Sequence, residues 1–523
     1  MTDIPETSWK PRFNVWVIAL TVTMATFMEV LDATIANVAL PHIAGNLSAT
    51  QEEATWVLTS YLAANAIVVP ISAWLALLVG RKRFYMSCVA LFTISSLLCG
   101  LAPNLEMLIL FRVLQGIGGG GLLPSEQAIL ADTFRASQRG MAFAIYGMAV
   151  VVAPAIGPTL GGWVTDNFTW RWVFYINVPI GVLSLFLTSR IVEDPPFLKR
   201  EQLKRRSAPV DYVGLGLVSI AICSLQIVLG KGQELDWLSS SWIVGLAVLA
   251  FLAFGVWIVW EWYHQNPVVD IRLFRRRNFA TAMFFSFVVG AIVYSTAMMI
   301  PQFLQLQLGY SAMKAGEAVA GVGIVMMFML PIAGALVTRV DPRLLMAVGF
   351  MSVSAALYSM ATHMSLGMDF GTAAMLRTYQ MCGVPFILIP QMTAAYIGVP
   401  PEKNNQVSSI NSFVQSVGGG IGIALVNIAL ARSAQVHQSY LVAHATPGAP
   451  AYEALLEHVK DVLAQTGAGR DKEAYGMIAQ MLTRQATTMA YVEVVSVLAV
   501  VILCLTPLVL VMEGRPRPKG QIV

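Results

Sequence analysis

Three ionisable residues fall where hydrocarbon should exclude charge. Glu29 and Asp32 lie in an apolar run near 14–39, and Arg112 lies in another, within Leu110-Phe-Arg-Val-Leu-Gln-Gly116. A charged side chain at mid-membrane costs about 2.5–3.5 kcal/mol on insertion scales, so each needs a reason to be there. A three-residue spacing puts Glu29 and Asp32 on one helix face. Two ionised carboxylates so close repel, and low dielectric further disfavours the charged form, so at least one should take up a proton near neutral pH. That is the chemistry of proton-coupled transport, in which each charge moved down 100 mV releases about 2.3 kcal/mol. Arg112 would be a fixed positive charge able to favour deprotonation of a nearby carboxylate. The alternative is a permanent ion pair that only sets helix packing.

A second pattern suits movement rather than proton transfer. Ala153-Pro-Ala-Ile-Gly157-Pro158-Thr-Leu-Gly161-Gly162 places Pro154, Gly157, Pro158, Gly161 and Gly162 in one apolar run, which predicts a kinked helix, smooth on one side and able to pivot against a partner. The remaining charges in apolar runs carry less. Glu126 and Asp132 sit toward one end of the Arg112 run, with Asp132 read as interfacial; Arg377 has no interpretable sequence context; Glu493 reads as near the outer surface. Enzyme chemistry finds no support, since no histidine stands mid-run beside a serine or cysteine and neither H-E-x-x-H nor G-x-S-x-G occurs. Gly230-Lys231 is preceded by Leu225 where a phosphate loop needs glycine, so ATP is not the expected energy source.

The elements that must position these residues follow from composition. Of 523 residues, 57% are hydrophobic and only 12% are charged, against about 25% charged in soluble domains; the chain is an all-α membrane protein. A helix needs about 20 apolar residues to span the hydrocarbon. Fourteen apolar segments are expected, near 14–39, 54–78, 84–103, 106–131, 141–165, 172–192, 212–230, 242–262, 279–305, 315–337, 344–364, 371–397, 406–431 and 488–512. The polar stretch Met1–Arg12 and the length of the first run indicate a retained span rather than a cleaved signal peptide. With the N-terminus in the cytoplasm, Arg81-Lys82-Arg83, Lys204-Arg205-Arg206 and Arg275-Arg276-Arg277 all fall inside, while Lys231, Lys314 and Lys460 are among the few basic residues outside. The positive-inside rule therefore places both termini in the cytoplasm, and these clusters serve as topology anchors rather than nucleic-acid sites. Cys88, Cys99, Cys223, Cys382 and Cys504 all lie in apolar runs, which argues against a disulfide framework or zinc site. No cofactor is expected.

Between the last two segments, 433–487 forms a sizeable soluble element. Tyr452, Leu455, Leu456, Val459 and Leu463 recur at helical spacing, as do Tyr475, Ile478, Met481 and Leu482 after the Gly467-Ala-Gly469 break. Two amphipathic helices are expected on the outer face, either packed on their own membrane domain or docking a partner.

Taken together, these motifs resemble the major facilitator superfamily, in its fourteen-span drug:proton antiporter branch, over essentially the whole chain. Leu31-Asp-Ala-Thr-Ile-Ala-Asn-Val-Ala-Leu-Pro41 is similar to the first-span signature, Arg112 with Gln115-Gly116 to the fourth-span motif, and Gly157-Pro158 with Gly161-Gly162 to the fifth-span antiporter motif. Trp170-Arg-Trp-Val-Phe-Tyr-Ile-Asn-Val-Pro-Ile-Gly181 and Gly230-Lys-Gly-Gln-Glu-Leu-Asp-Trp237 are further matches. The family's gating loop is represented by Gly80, Arg81 and Lys82, but the acid expected before it is Leu77 and the following arginine is Leu78. The charge-paired latch must therefore be weaker or built differently.

The resemblance implies a major facilitator fold: an N-terminal six-helix bundle in 1–200, a linker and inserted spans seven and eight in 201–265, and a C-terminal six-helix bundle in 266–523 that includes the 433–487 hairpin. A central cavity is implied between the bundles. The implied activity is proton-driven export of hydrophobic or amphipathic toxic compounds from the bacterial inner membrane, with dedicated export of one siderophore or fatty acid as the alternative and a transport-dead sensor or scaffold as a remoter one. The implied partners are an EmrA-like periplasmic membrane-fusion adaptor and a TolC-type outer-membrane channel.

Overall fold

A computed structural model describes residues 11–198, 202–203, 210–233, 235–446, 449–465 and 471–512. Among these, every regular element is helical, and thirteen helical segments are long and apolar enough to cross a membrane. Backbone polar groups in hydrocarbon must be satisfied internally, which leaves the helix as the available element for an uninterrupted apolar run.

The first group of helices comprises α1 (Val15–Asn46), the short α2 (Gln51–Ala54), α3 (Trp56–Val79), α4 (Arg81–Leu101), α5 (Leu105–Gly119), α6 (Leu122–Thr133), α7 (Arg139–Asn167), α8 (Trp172–Tyr175) and α9 (Asn177–Ile191). Within it α1 packs on α7 and α9, and α5 packs on α3 and α4. Helices α10 (Tyr212–Lys231) and α11 (Ser241–Tyr263) pair with each other, and α10 rests on α3. The outer side of α11 is apolar and exposed, with Phe251 at 79% and Tyr263 at 80%, as expected of a helix facing lipid.

The second group contains α12 (Arg277–Leu306), α13 (Ala312–Leu336), α14 (Pro342–His363), α15 (Phe370–Gly383), α16 (Pro385–Ala395), α17 (Asn404–His444), α18 (Pro450–Gln465) and α19 (Asp471–Leu505). Here α12 packs on α17, while α14 packs on α15 and α19. The two groups meet where α13 lies along α7 and where α17 crosses α3 and α6.

Two expectations change. The segment near 371–397 is interrupted in its hydrogen-bond ladder: α15 and α16 are joined at Val384, itself at helical φ −59° and ψ −43°, with Pro385 opening the second helix and Pro390 inside it, and the segments near 106–131 and 172–192 are likewise each made of two helices. Proline lacks the N–H that would carry the helical ladder through this point. The outer element also has different boundaries. The helix that begins at Asn404 runs unbroken to His444, and the stretch around Tyr475–Leu482 is the start of the final long helix rather than a separate one. Helix α18 packs on that start through Val459, Ala474 and Ile478, with Tyr452, Leu455, Leu456, Leu463 and Leu482 around them. The Gly467–Gly469 break lies outside the described residues.

Candidate functional site: a buried ion pair and an interhelical latch

Glycine lets the helices around Arg112 approach closely. A Cβ on Gly116 would stand 2.9 Å from Ala64 Cβ and would collide with the Tyr61 carbonyl, and one on Gly118 would stand 2.6 Å from Phe92 N. Helix α5 is therefore wedged between α3 and α4, with Arg112 carried into the space enclosed by α1, α3 and α9.

There Asp32 and Arg112, both fully buried, form an ion pair at 2.6 Å between Asp32 Oδ2 and Arg112 Nη1. Arg112 Nη1 also donates to Gln115 Oε1 at 2.7 Å, and its Nε donates to the Val57 carbonyl at 3.1 Å. The other Asp32 oxygen accepts from Gln115 Nε2 at 3.0 Å and from Asn177 Nδ2 at 2.6 Å. The guanidinium lies 4.2 Å from the centre of the Tyr61 ring. Charge pairing with further hydrogen bonds to both partners is what makes a buried ion pair tolerable. It also makes the pair a stored electrostatic constraint, because protonating Asp32 would leave Arg112 without its counter-charge.

Glu29, one turn from Asp32, is placed differently. Its Oε1 accepts from Asn65 Nδ2 at 2.9 Å, while its Oε2 has no hydrogen-bond partner among the described residues. Glu126 on α6 is fully buried, accepts from the Thr23 hydroxyl at 2.5 Å through Oε1 and likewise has an unpartnered Oε2. Neither carboxylate forms an ion pair among the described residues. Glu126 received no role from its sequence position. The available signal was an acid five residues after the Gly118–Gly121 run that follows Arg112, too deep in an apolar segment to be a surface charge.

The Pro154–Gly162 run lies inside the continuous helix α7 and packs on two sides. Gly157 abuts Thr34, and a Cβ on Gly161 would stand 3.1 Å from Ile35 Cγ2, so both glycines face α1 within one turn of Asp32. On the other side Pro158 and Thr159 meet Gly316 of α13, at 3.1 and 3.3 Å from a Cβ placed there. Gly162 is the exception, with only Met313 Cβ at 4.0 Å. The smooth surface thus touches the helix of the ion pair and the opposing helix group at once.

The Gly80, Arg81 and Lys82 loop carries a buried ion pair whose partners lie on α6 and α17. Gly80 links α3 to α4 at φ +100°, a conformation that suits glycine. Arg81 is buried and pairs with Asp132 at 2.6 Å. Asp132, at the end of α6, is covered by the other helix group: its side chain is 2% exposed under α17, Asn404 Nδ2 donating to its Oδ1 at 2.5 Å and Asn405 Oδ1 accepting from Arg81 at 3.2 Å. Lys82, by contrast, caps the last turn of α9, Nζ donating to the Ser189 carbonyl at 2.8 Å, and its amide donates to Asp194 at 3.0 Å.

The polar start of α17 continues this seam. Ser409 donates to the Val69 and Pro70 carbonyls at 2.7 and 2.8 Å, and Gln127 of α6 donates to Ser412 at 3.0 Å and accepts from Asn411 at 3.2 Å. At this end the two groups are closed on each other by hydrogen bonds that water could replace. Sequence reading passed over 404–415, although a run of amides and hydroxyls opening an apolar span was a visible sign of a polar interface.

Residues 22–423 match the Major Facilitator Superfamily. The multidrug export protein EmrB of Escherichia coli (strain K12) is 37% identical over 94% of each chain. The fatty acid resistance protein FarB of Neisseria gonorrhoeae is 36% identical over 94% of this chain and 95% of its own. The colistin resistance protein EmrB of Acinetobacter baumannii is 27% identical over 95% and 96%. Among solved structures, the proton:xylose symporter XylE, as a double-tryptophan mutant, superposes with a TM-score of 0.61 at 13% identity over 96% of this chain and 97% of its own. The human organic anion transporter TETRAN does so at 0.57 and 11% over 94% and 100%. These two similarities speak for the fold. The helical architecture, the match over most of the length and the resistance-exporter relatives agree, and the chain belongs to the major facilitator superfamily as a multi-pass membrane transporter of the drug-efflux kind.

Proposed function

We propose that this protein exchanges protons for amphipathic toxic compounds and so exports them across the bacterial inner membrane. The observation that carries the reading is the buried Asp32–Arg112 pair at 2.6 Å, tied into α5 and α9 through Gln115 and Asn177. A proton arriving on Asp32 removes half of a pair that holds three helices together, so protonation and helix rearrangement become one event. Glu29, one turn away, is a second proton acceptor in this scheme, and the Pro154–Gly162 face of α7 is the seam along which rearrangement at α1 reaches α13. By the distribution of lysine and arginine the Arg81–Asp132 end is cytoplasmic, which makes this conformation closed to the cytoplasm.

Substrate-induced proton release from purified protein tests coupling directly. Asp32→Asn should abolish pH-gradient-driven transport in proteoliposomes while leaving the protein monodisperse; full transport by that variant would remove Asp32 from the mechanism. The similarity to FarB favours, as a second reading, dedicated export of one lipophilic carboxylate. Resistance profiling of an expressing strain against a chemically broad panel separates the two.

The α18 hairpin is the docking element for a membrane-fusion adaptor and, through it, an outer-membrane channel. Replacing 446–471 by a short linker should leave transport in vesicles intact and abolish resistance in cells. Loss of both would make the hairpin structural.

A further inference from the structure

Arg377 repeats the placement of Arg112 in the second helix group, without its acid. Arg112 lies eight residues after the N-cap Asn104 of α5, and Arg377 lies eight after the N-cap Asp369 of α15. Each guanidinium donates from Nη1 to the glutamine three residues on, Gln115 at 2.7 Å and Gln380 at 2.6 Å. Each also reaches the first long helix of its own group. There the correspondence fails: Arg112 meets Asp32 on α1, whereas Arg377 meets the Thr296 hydroxyl on α12 at 3.0 Å.

The consequence is an uncompensated charge. Arg377 is 1% exposed and Gln380 is fully buried, and no carboxylate pairs with Arg377 among the described residues. Among the described residues, Arg377 Nε and Gln380 Nε2 are both without an acceptor. Arginine does not lose its proton in proteins, and burying an ion without a partner is strongly unfavourable. A buried cation flanked by two idle N–H donors, with a hydroxyl where its pseudo-symmetric counterpart has a carboxylate, matches the requirements of an anion. The site also lies close to the seam between the groups: α13, which packs along α7, passes beside α15, where a Cβ on Gly321 would stand 3.4 Å from Thr378 Oγ1.

We propose that Arg377 and Gln380 form an anion-binding site beside Thr296, whose hydroxyl proton is already given to the Ile292 carbonyl at 2.7 Å, the site being filled either by the carboxylate of an amphiphile or by a free halide. Only the identification of that amphiphile as cargo rests on the export reading, and binding is measured without transport.

The test uses the full chain in nanodiscs, with sodium decanoate, its uncharged analogue decanol, and sodium chloride as probes in a buffer of bulky anions. Thermal unfolding and titration calorimetry are the readouts. Decanoate is expected to raise the unfolding temperature more than decanol does. A shift produced by chloride alone, abolishing the decanoate increment by competition, identifies the halide as occupant and equally supports the site. Arg377→Gln should weaken anion binding by about tenfold or more, the scale of a charge-assisted hydrogen bond. Thr296→Asp supplies in cis the acid present in the first group, so it should remove the anion response while raising stability in the absence of ligand. That gain separates occupation of the site from simple misfolding. The proposal is overturned if neither anion shifts the wild-type protein beyond decanol, or if the anion response persists in both variants. Either result would leave the coupling role of Asp32 standing.

Discussion

Removing Asp132 should force the Arg81 end of the molecule open. In the closed arrangement Arg81 is 3% exposed and its ion pair with Asp132 is 2.6 Å long. Asp132→Ala leaves that guanidinium buried and unpaired, a change that costs about 3–5 kcal/mol for a buried pair broken from one side. The cost falls on the closed state alone, because a guanidinium exposed by opening is hydrated. Each 1.4 kcal/mol is tenfold in an equilibrium constant, so the closed-to-open ratio should fall by roughly a hundredfold to a few thousandfold. Spin labels at Ser137 and Arg339, both exposed near this end and on opposite helix groups, report the change as a longer distance by pulsed electron resonance. Pairing the change with Arg81→Met removes both charges and should restore the short distance, since replacing a buried pair by apolar groups is often neutral. An unchanged distribution in folded Asp132→Ala would refute the assignment of the latch, and an equal opening in the double variant would show that charge burial is not its basis.

Other perturbations test separate features. Gly116→Ala must push α5 away from the Tyr61 carbonyl and should lower the unfolding temperature by an amount equivalent to about 1–3 kcal/mol, whereas Gly245→Ala, with nothing within 4 Å, should not. Gly161→Leu at the α1–α7 contact should retain substrate binding but slow transport, as read by comparing equilibrium binding with initial rates. Glu29→Gln keeps an acceptor for Asn65 and should lower the number of protons released per substrate bound, measured with a pH dye on purified protein. Ile478→Asp disrupts the small core under α18 and should open 449–471 to limited proteolysis without moving the unfolding temperature of the membrane-embedded part.

How far the sequence reached depended on whether a feature was local. Apolar runs and the three-residue spacings of Glu29 with Asp32 are properties of a single helix, and they were legible. The pairing of Asp32 with Arg112 could be anticipated because a buried charge demands a partner and few were on offer. The burial of Asp132 was not legible, because its position at the end of a run says nothing about α17 lying over it. Arg377 looked contextless for the same reason: its meaning comes from Thr296, 81 residues away in sequence, and from the comparison with α5 that only the folded register makes. The break at Val384 was overlooked although Pro385 and Pro390 marked it, because a hydropathy scan averages over prolines that the hydrogen-bond ladder cannot ignore.

Helix α17 is a single rod of 41 residues, about 60 Å long at 1.5 Å per residue. One end holds Asn404 and Asn405 against the latch and the other reaches the hairpin. Tilting the helix by one degree about its latch end displaces the far tip by about 1 Å, given its length. A tilt accompanying release of Arg81 from Asp132 would therefore be felt at the far tip, beside the hairpin.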